Sequence, residues 1–488
     1  MRHVRRLPVI GAVVAILIAV AVALDVAPAG AKPAPHPYTF VDPGTFGGPQ
    51  SYLNLPGYPI TTKGALIGTA DTTVADGDFP NVNPFMVNFP DGFTAHAFSY
   101  RDGQLTDLGA LPGNNSSAVF QINGNGVGVG MSGDGTIDPI TGWPADHAVI
   151  FKNGRVTDIG VLPGGYESFA IAINDRGQVA GFGSNGTPDP YSIFQWGTEV
   201  RTFIWQNGVM QDIGTLGGPD AVMATMNARG QIAGVSYTDS TPNDTTGIPT
   251  QHPFIWEKGR MRDLGSLGGR YTEANWMNNA GDVVGFSTLE GDNAGHPFLW
   301  NGKRMIDLGT LDDGDFGAAL YVNDAGHATG FSYRSDGTYH GFLWANGKLH
   351  DLPPPEGAPC AAGFAINNRD DVVGTAQDCQ GGNLAPILWH KGVPYDLSTL
   401  TGPTDLILDE PEYINDRGEI VGHGFFPNGE TREFMLVPDP HGGPAALDSI
   451  KPQGLPAKVK PHRSSSGSDR PCGRLPLAAS ALHCAARR

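Results

Sequence analysis

Phe298-Leu-Trp300-Asn-Gly302-Lys-Arg-Met-Ile-Asp307-Leu-Gly309-Thr-Leu311, followed by Ala318-Ala-Leu-Tyr-Val-Asn323-Asp-Ala-Gly326-His-Ala-Thr-Gly330-Phe-Ser332, is one copy of a unit that recurs along most of the chain. From Asn123 onward, 44 to 53 residues separate successive copies of its asparagine. Repeats of that length mean a solenoid, a propeller or an array of small units. Each copy has two hairpin signals. Phe203 to Trp205 is followed by the turn Asn207-Gly208 and by Met210 to Gly214, and Ala170 to Asn174 is followed by Asp175-Arg-Gly177 and Gln178 to Gly181. Two hairpins give four short strands, and no 3.6-residue period runs through any copy. The fold class is all-β, and the unit is a propeller blade.

The blade asparagines are Asn54, a weak match, then Asn123, Asn174, Asn227, Asn278, Asn323, Asn367 and Asn415. They predict eight four-stranded blades over residues 38–438, with seven as the alternative because 69 residues separate the first two. The first unit opens on Tyr38-Thr-Phe-Val-Asp42 without a Phe-x-Trp strand, and the last ends on Glu433-Phe-Met-Leu-Val437 without an Asp-x-Gly strand. Each end supplies what the other lacks. With the Ala-rich strand innermost, the N-terminal strand closes the ring as the outer strand of the last blade.

His96-Ala-Phe98, His147-Ala-Val149, His252-Pro-Phe254, His296-Pro-Phe298 and His340-Gly-Phe342 each lead into an Asp-Leu or Asp-Ile pair. In these motifs the chain resembles the extracellular HAF-repeat family of bacterial secreted proteins. Arg201-Thr-Phe203 and Ala385-Pro-Ile387 depart from the motif, so the histidine is dispensable to the strand. The resemblance implies export and a repeat fold, and it supplies no activity or catalytic residues.

Arg2, Arg5 and Arg6, an apolar run from Leu7 to Leu24 and a close on Ala29-Gly-Ala31 read as a secretory signal peptide over residues 1–31. The expected localisation is secreted, with a membrane anchor only if that segment is retained. Residues 32–37 form a Pro-rich spacer, and residues 439–488 read as a disordered linker and basic tail. The net charge is −18, and between the basic ends, over residues 32–444, 46 acidic residues face 20 basic ones. Such a surface repels phosphate backbones, which excludes nucleic acid as a partner. Of the four cysteines, Cys360 and Cys379 fall within one unit and are the disulfide candidates.

The repeated His, Trp and Asp are framework by this reading, because residues spread around a ring cannot converge on one substrate. The long variable segments 71–95, 131–146, 182–200 and 235–251 all join the second strand of a unit to its third, which places them on one face with the blade-to-blade connections. Just before the inner strands come Glu167, Asp220, Glu273, Asp315 and Glu410, expected as an acidic rim able to hold Ca²⁺ or a cationic ligand. Trp143 and Trp196, outside the repeat register, are the expected contact residues. No nucleophile elbow, phosphate loop or His-Glu-x-x-His motif is present. The expected function is a secreted binding module contacting a glycan or protein at the insert-bearing face. The alternative is a carbohydrate-active hydrolase or lyase using carboxylates from different blades, for which Asp312, Asp313, Asp409 and Glu412 are also at hand.

Overall fold

The computed structural model describes residues 36–54, 57–61, 63–84, 91–113, 115–440 and 446–455; the signal segment and the end of the basic tail lie outside them. Among the described residues 32 strands form eight four-stranded antiparallel blades, so eight is the blade count. Blade 3 is representative: Ser168–Ile173, Val179–Pro188, Thr198–Gln206 and Val209–Asp212 pair in that order. First strands of successive blades contact one another, which puts the Ala-rich strand nearest the axis. The ring closes as expected. Tyr38–Val41 pairs antiparallel with Thr431–Pro438 and becomes the fourth strand of blade 8.

The Val-Gly signature has a packing cause. Each inner strand from blade 2 to blade 7 carries a bulge at the same place, as between Ala170 and Ala172, which pushes the backbone toward the second strand; those of blades 5 and 6 have a further shift nearer their start. A Cβ at Gly181 would sit 2.0 Å from the Phe169 carbonyl oxygen, and one at Gly285 would sit 1.7 Å from that of Glu273. Only glycine fits this approach. Across the ladder from these glycines stand Phe98, Val149, Phe203, Phe254, Phe298, Phe342, Ile387 and Phe434, all fully buried. Trp256, Trp300 and Trp389 of the repeated aromatic position are buried as well, which makes that position core packing.

The repeated asparagine ties blades together. Its Oδ1 accepts N–H bonds inside its own turn, and its amide donates to the next blade: Asn227 to the Asn278 carbonyl at 3.3 Å, Asn278 to Asn323 at 2.8 Å and Asn323 to Asn367 at 2.9 Å. Asn54 does not belong to this series. The equivalent turn of blade 1 is built on Thr61, whose carbonyl and hydroxyl accept from Gly64 and Ala65. The extra residues between them carry Tyr58 across the ring, where its ring lies 4.9 Å from Trp276 of blade 5 and its hydroxyl 3.4 Å from Thr225 of blade 4. Counting from Thr61 shortens the first interval from 69 to 62 residues, and the long segment between Ala75 and Phe93 accounts for the rest.

The linker expected from residue 439 is in part ordered. Leu447 is fully buried, its carbonyl accepts from the Tyr395 hydroxyl at 3.1 Å, and Asp448 pairs with Lys391 at 2.7 Å on blade 7. An apolar Leu and Ile450 inside a charged tail give that segment something to bury.

Candidate functional site

The His of each motif stands on the third strand and the Asp on the fourth, 11 residues later, opposite the motif's Phe or Val and diagonal to the His. His96 meets Asp107 at 3.0 Å, His147 meets Asp158 at 2.9 Å, and His252, His296 and His340 meet Asp263, Asp307 and Asp351 at 3.0, 2.9 and 2.8 Å. The same carboxylates cap the turn into the next blade, as Asp158 does by accepting from the Gly160 N–H at 2.6 Å. Arg201 and Arg432 replace the histidine in blades 3 and 8, facing Asp212 at 3.7 Å and Asp42 at 3.3 Å. Burial works to raise Asp107, Asp158 and Asp263, but the histidine bond and the turn N–H hold each below the ordinary carboxylate value. In blade 7 Ala385 supplies no cation, and burial raises Asp396. These motifs join strands and exhaust their chemistry in doing so.

The five expected rim carboxylates separate. Glu167 is buried and accepts from the Asp146 N–H at 3.0 Å and from the Asn83 amide at 3.3 Å. Asp220, also buried, accepts from the Val200 N–H at 2.8 Å and the Ile193 N–H at 2.6 Å. Both fasten the insert of a preceding blade. Burial, then the Asp146 charge, raises Glu167; burial lifts Asp220 to about 7 against the two N–H donors, and burial lifts Glu273, bonded by the Tyr271 hydroxyl, to about 8. Asp315 is exposed and Glu410 half-buried. An open ring of five carboxylates therefore does not form. Trp196 is buried among Phe169, Phe182 and Phe194, so it is core, and Trp143 is half-buried against the same cluster. Insert residues can be core residues because the inserts pack on one another.

That packing makes the insert-bearing face one continuous surface across blades 1 to 3. The Asn81 amide donates to Gly142 at 3.1 Å and Asn83 to Pro144 at 3.1 Å, while Gly197 lies against Ile140, where a Cβ would be 3.6 Å away. Val74, Phe79, Ile137, Ile140 and Tyr166 stand exposed on it. Between the first two inserts lies a crevice lined by Asp76, Asp78, Asn83 and Asp146.

A second cluster lies in blade 8, and only Asp409, Glu410 and Glu412 of it were visible as carboxylate supply in the sequence. Glu410, His423 and Glu433 stand side by side across three strands. His423 Nδ1 meets Glu412 Oε1 at 2.7 Å, and its Nε2 lies 3.7 Å from Asp409 Oδ2. Donor atoms of Asp409, Glu410 and His423 all fall within 4.8 Å of one another. Burial, then the Glu412 charge, raises Glu433 well above the ordinary value. Sequence reasoning missed His423 and Glu433. The available signal was negative: elsewhere the His423 position holds residues such as Met131, Phe182, Val235, Phe286 and Phe331, and the Glu433 position holds Ala, Thr, Pro or Gly.

The structure is similar to solved β-propellers. The propeller domain of the trilobed protease from Pyrococcus furiosus matches with TM-score 0.39 and 11% identity over 71% of this chain and 95% of that one. TolB from Acinetobacter baumannii matches with TM-score 0.29 and 11% identity over 80% and 86%. A polysaccharide lyase of family PL25, an ulvan lyase, matches with TM-score 0.35 and 11% identity over 85% and 99%. No family model matches the sequence, and no curated protein matches it. The class defined by the fold is the eight-bladed β-propeller, and the neighbours carry the fold alone.

Proposed function

We propose that this chain is a secreted β-propeller binding module of the HAF-repeat kind, which docks a polypeptide partner on the insert-bearing face of blades 1 to 3. The observation that carries the reading is the fused insert surface, with five exposed apolar side chains beside an acidic crevice. Apolar anchors ringed by charge are the usual composition of a docking surface. Three of the five side chains, Val74, Ile137 and Ile140, are aliphatic and offer no flat ring face for a sugar to stack on, while Phe79 and Tyr166 supply aromatic anchors of the kind protein interfaces favour. The acidic lining favours a basic residue in the partner. The hydrolase or lyase alternative has less support, since Glu167, Asp220 and Glu273 are buried and already bonded.

The test uses the full chain against a displayed peptide library and, in parallel, a glycan array with a hydrolysis readout. Phe79→Asp and Ile140→Asp should abolish peptide capture, whereas Val209→Asp and Val393→Asp, at exposed apolar positions on the opposite face, should not. Sugar capture without peptide capture would transfer the reading to a glycan ligand. Turnover of any sugar, lost in Glu410→Gln, would establish the enzyme instead.

A further inference from the structure

We propose that blade 8 holds a divalent transition-metal ion, of the Zn²⁺ class, between Asp409, Glu410 and His423, with Glu412 orienting the histidine. The site is independent of the insert-bearing face.

Five positions of this blade are ionisable where the repeat elsewhere is mostly apolar, small or uncharged. At the Asp409 position blades 1 to 3 carry Ser51, Ser117 and Ser168; at the Glu433 position blades 2 to 4 carry Ala148, Thr202 and Pro253. Packing the blade does not require the change, since other blades pack without it.

Asp409 is 2% exposed, and neither of its carboxylate oxygens has a hydrogen-bond partner. The same is true of Glu412 Oε2 and of both Glu433 oxygens. Buried carboxylate oxygens without partners, gathered beside one imidazole, are groups whose desolvation a bound cation would offset. The imidazole is already set for that cation. Glu412 holds Nδ1 at 2.7 Å, which leaves Nε2 turned toward Asp409, the arrangement in which a carboxylate fixes the tautomer of a metal-bound histidine. Donor atoms within 4.8 Å of one another need to draw in by at most about 0.7–0.8 Å each to surround an ion at ~2.1 Å. One nitrogen with carboxylate oxygens selects Zn²⁺, Mn²⁺ or Co²⁺ over Ca²⁺, which takes 6 or more oxygens, about twice the donors at hand. The half-buried Glu410 gives the ion its way in. Gly68 of blade 1 closes the far side, where a Cβ would lie 2.2 Å from Glu433 Oε2.

The full chain, stripped with EDTA, is titrated with Zn²⁺ by calorimetry and with Co²⁺ by visible absorption. One equivalent of each should bind, with the intense d–d bands of a low-coordinate Co²⁺ site. His423→Phe and Asp409→Ser borrow residues that other blades carry at those positions, so both should fold, and each should weaken Zn²⁺ at least 100-fold. Glu412→Gln should weaken it about 10- to 100-fold. Failure of the stripped chain to bind either ion, or undiminished binding by both variants, overturns the proposal. Displacement of Zn²⁺ by millimolar Ca²⁺ overturns the choice of metal and with it the proposal. Should His423→Phe not fold, Asp409→Ser and the Co²⁺ spectrum of the unaltered chain decide.

Discussion

Asp42 and Arg432, 390 residues apart in the chain, meet at 3.3 Å where the last blade accepts the first strand. The pair repeats, at the seam, the His–Asp contact made inside five other blades. It also shows which part of the closure matters energetically. An ion pair that is partly exposed contributes little, whereas Tyr38 on the same strand is buried and its N–H bonds to Leu400 at 3.1 Å. Tyr38→Ala should cost about 3–5 kcal/mol in urea unfolding and Asp42→Asn under about 1 kcal/mol. Equal losses would mean that charge, and not burial, closes the ring.

The asparagine ladder predicts that a turn residue acts on the neighbouring blade. Asn278 is buried and donates to Asn323 of blade 6 while its Oδ1 accepts from Asp282. Asn278→Ala should lower stability by about 2–3 kcal/mol and should speed amide exchange in the 323–326 turn as well as in its own. Exchange confined to blade 5 would contradict inter-blade coupling.

Cys360 and Cys379 are bonded, with Cα atoms 5.2 Å apart across a separation of 19 residues, and tie the inner strand of blade 7 to its insert. The expected pair is thus present. Its reduction, or the double change to Ser, should lower stability by about 3 kcal/mol. The check is the melting temperature with and without reductant, against an unchanged value in the double variant.

Stability should depend on pH with opposite signs on two sides. Asp107, Asp158 and Asp263 lie below their ordinary value, so their contribution is present above about pH 4 and is lost as pH falls through the depressed values. Asp71, raised to about 8 by burial and then by Asp91, along with Glu273 at about 8 and Asp220 at about 7, contributes fully below about pH 4 and loses that contribution as pH rises through 7 to 8. The melting temperature should therefore peak near pH 4, decline as pH rises to about 8 and level off above it. Glu273→Gln should flatten the decline between about pH 4 and 8 in a calorimetric pH series; an unchanged slope would remove Glu273 from the account.

Much of the framework was legible because each signal is local. Asn-Gly turns, alternating strands and an Asp two residues before a turn glycine are set by neighbours in sequence, and repetition averages out single departures such as Arg201 or Ala385. Blade 1 misled because Thr61 does the work of an asparagine through its carbonyl and hydroxyl. The site was less legible. Glu167 and Asp220 stand at the expected place in the strand order, but the inserts fold over them, and folding of an insert leaves no periodic trace.

The sequence by itself determined the four-stranded blades, their strand order and the seam at Tyr38, because backbone pairing and side-chain alternation recur at a fixed period, while the choice of eight blades over seven came with the structure. Only the tertiary structure decided which ionisable groups are spent and which are left over. Trp196 becomes core when three inserts stack, Glu167 becomes a staple under Asn83, and His423 reaches Asp409 through antiparallel register and a bulge. Burial and partners are properties of packing between distant segments, so they appear only once the ring has closed.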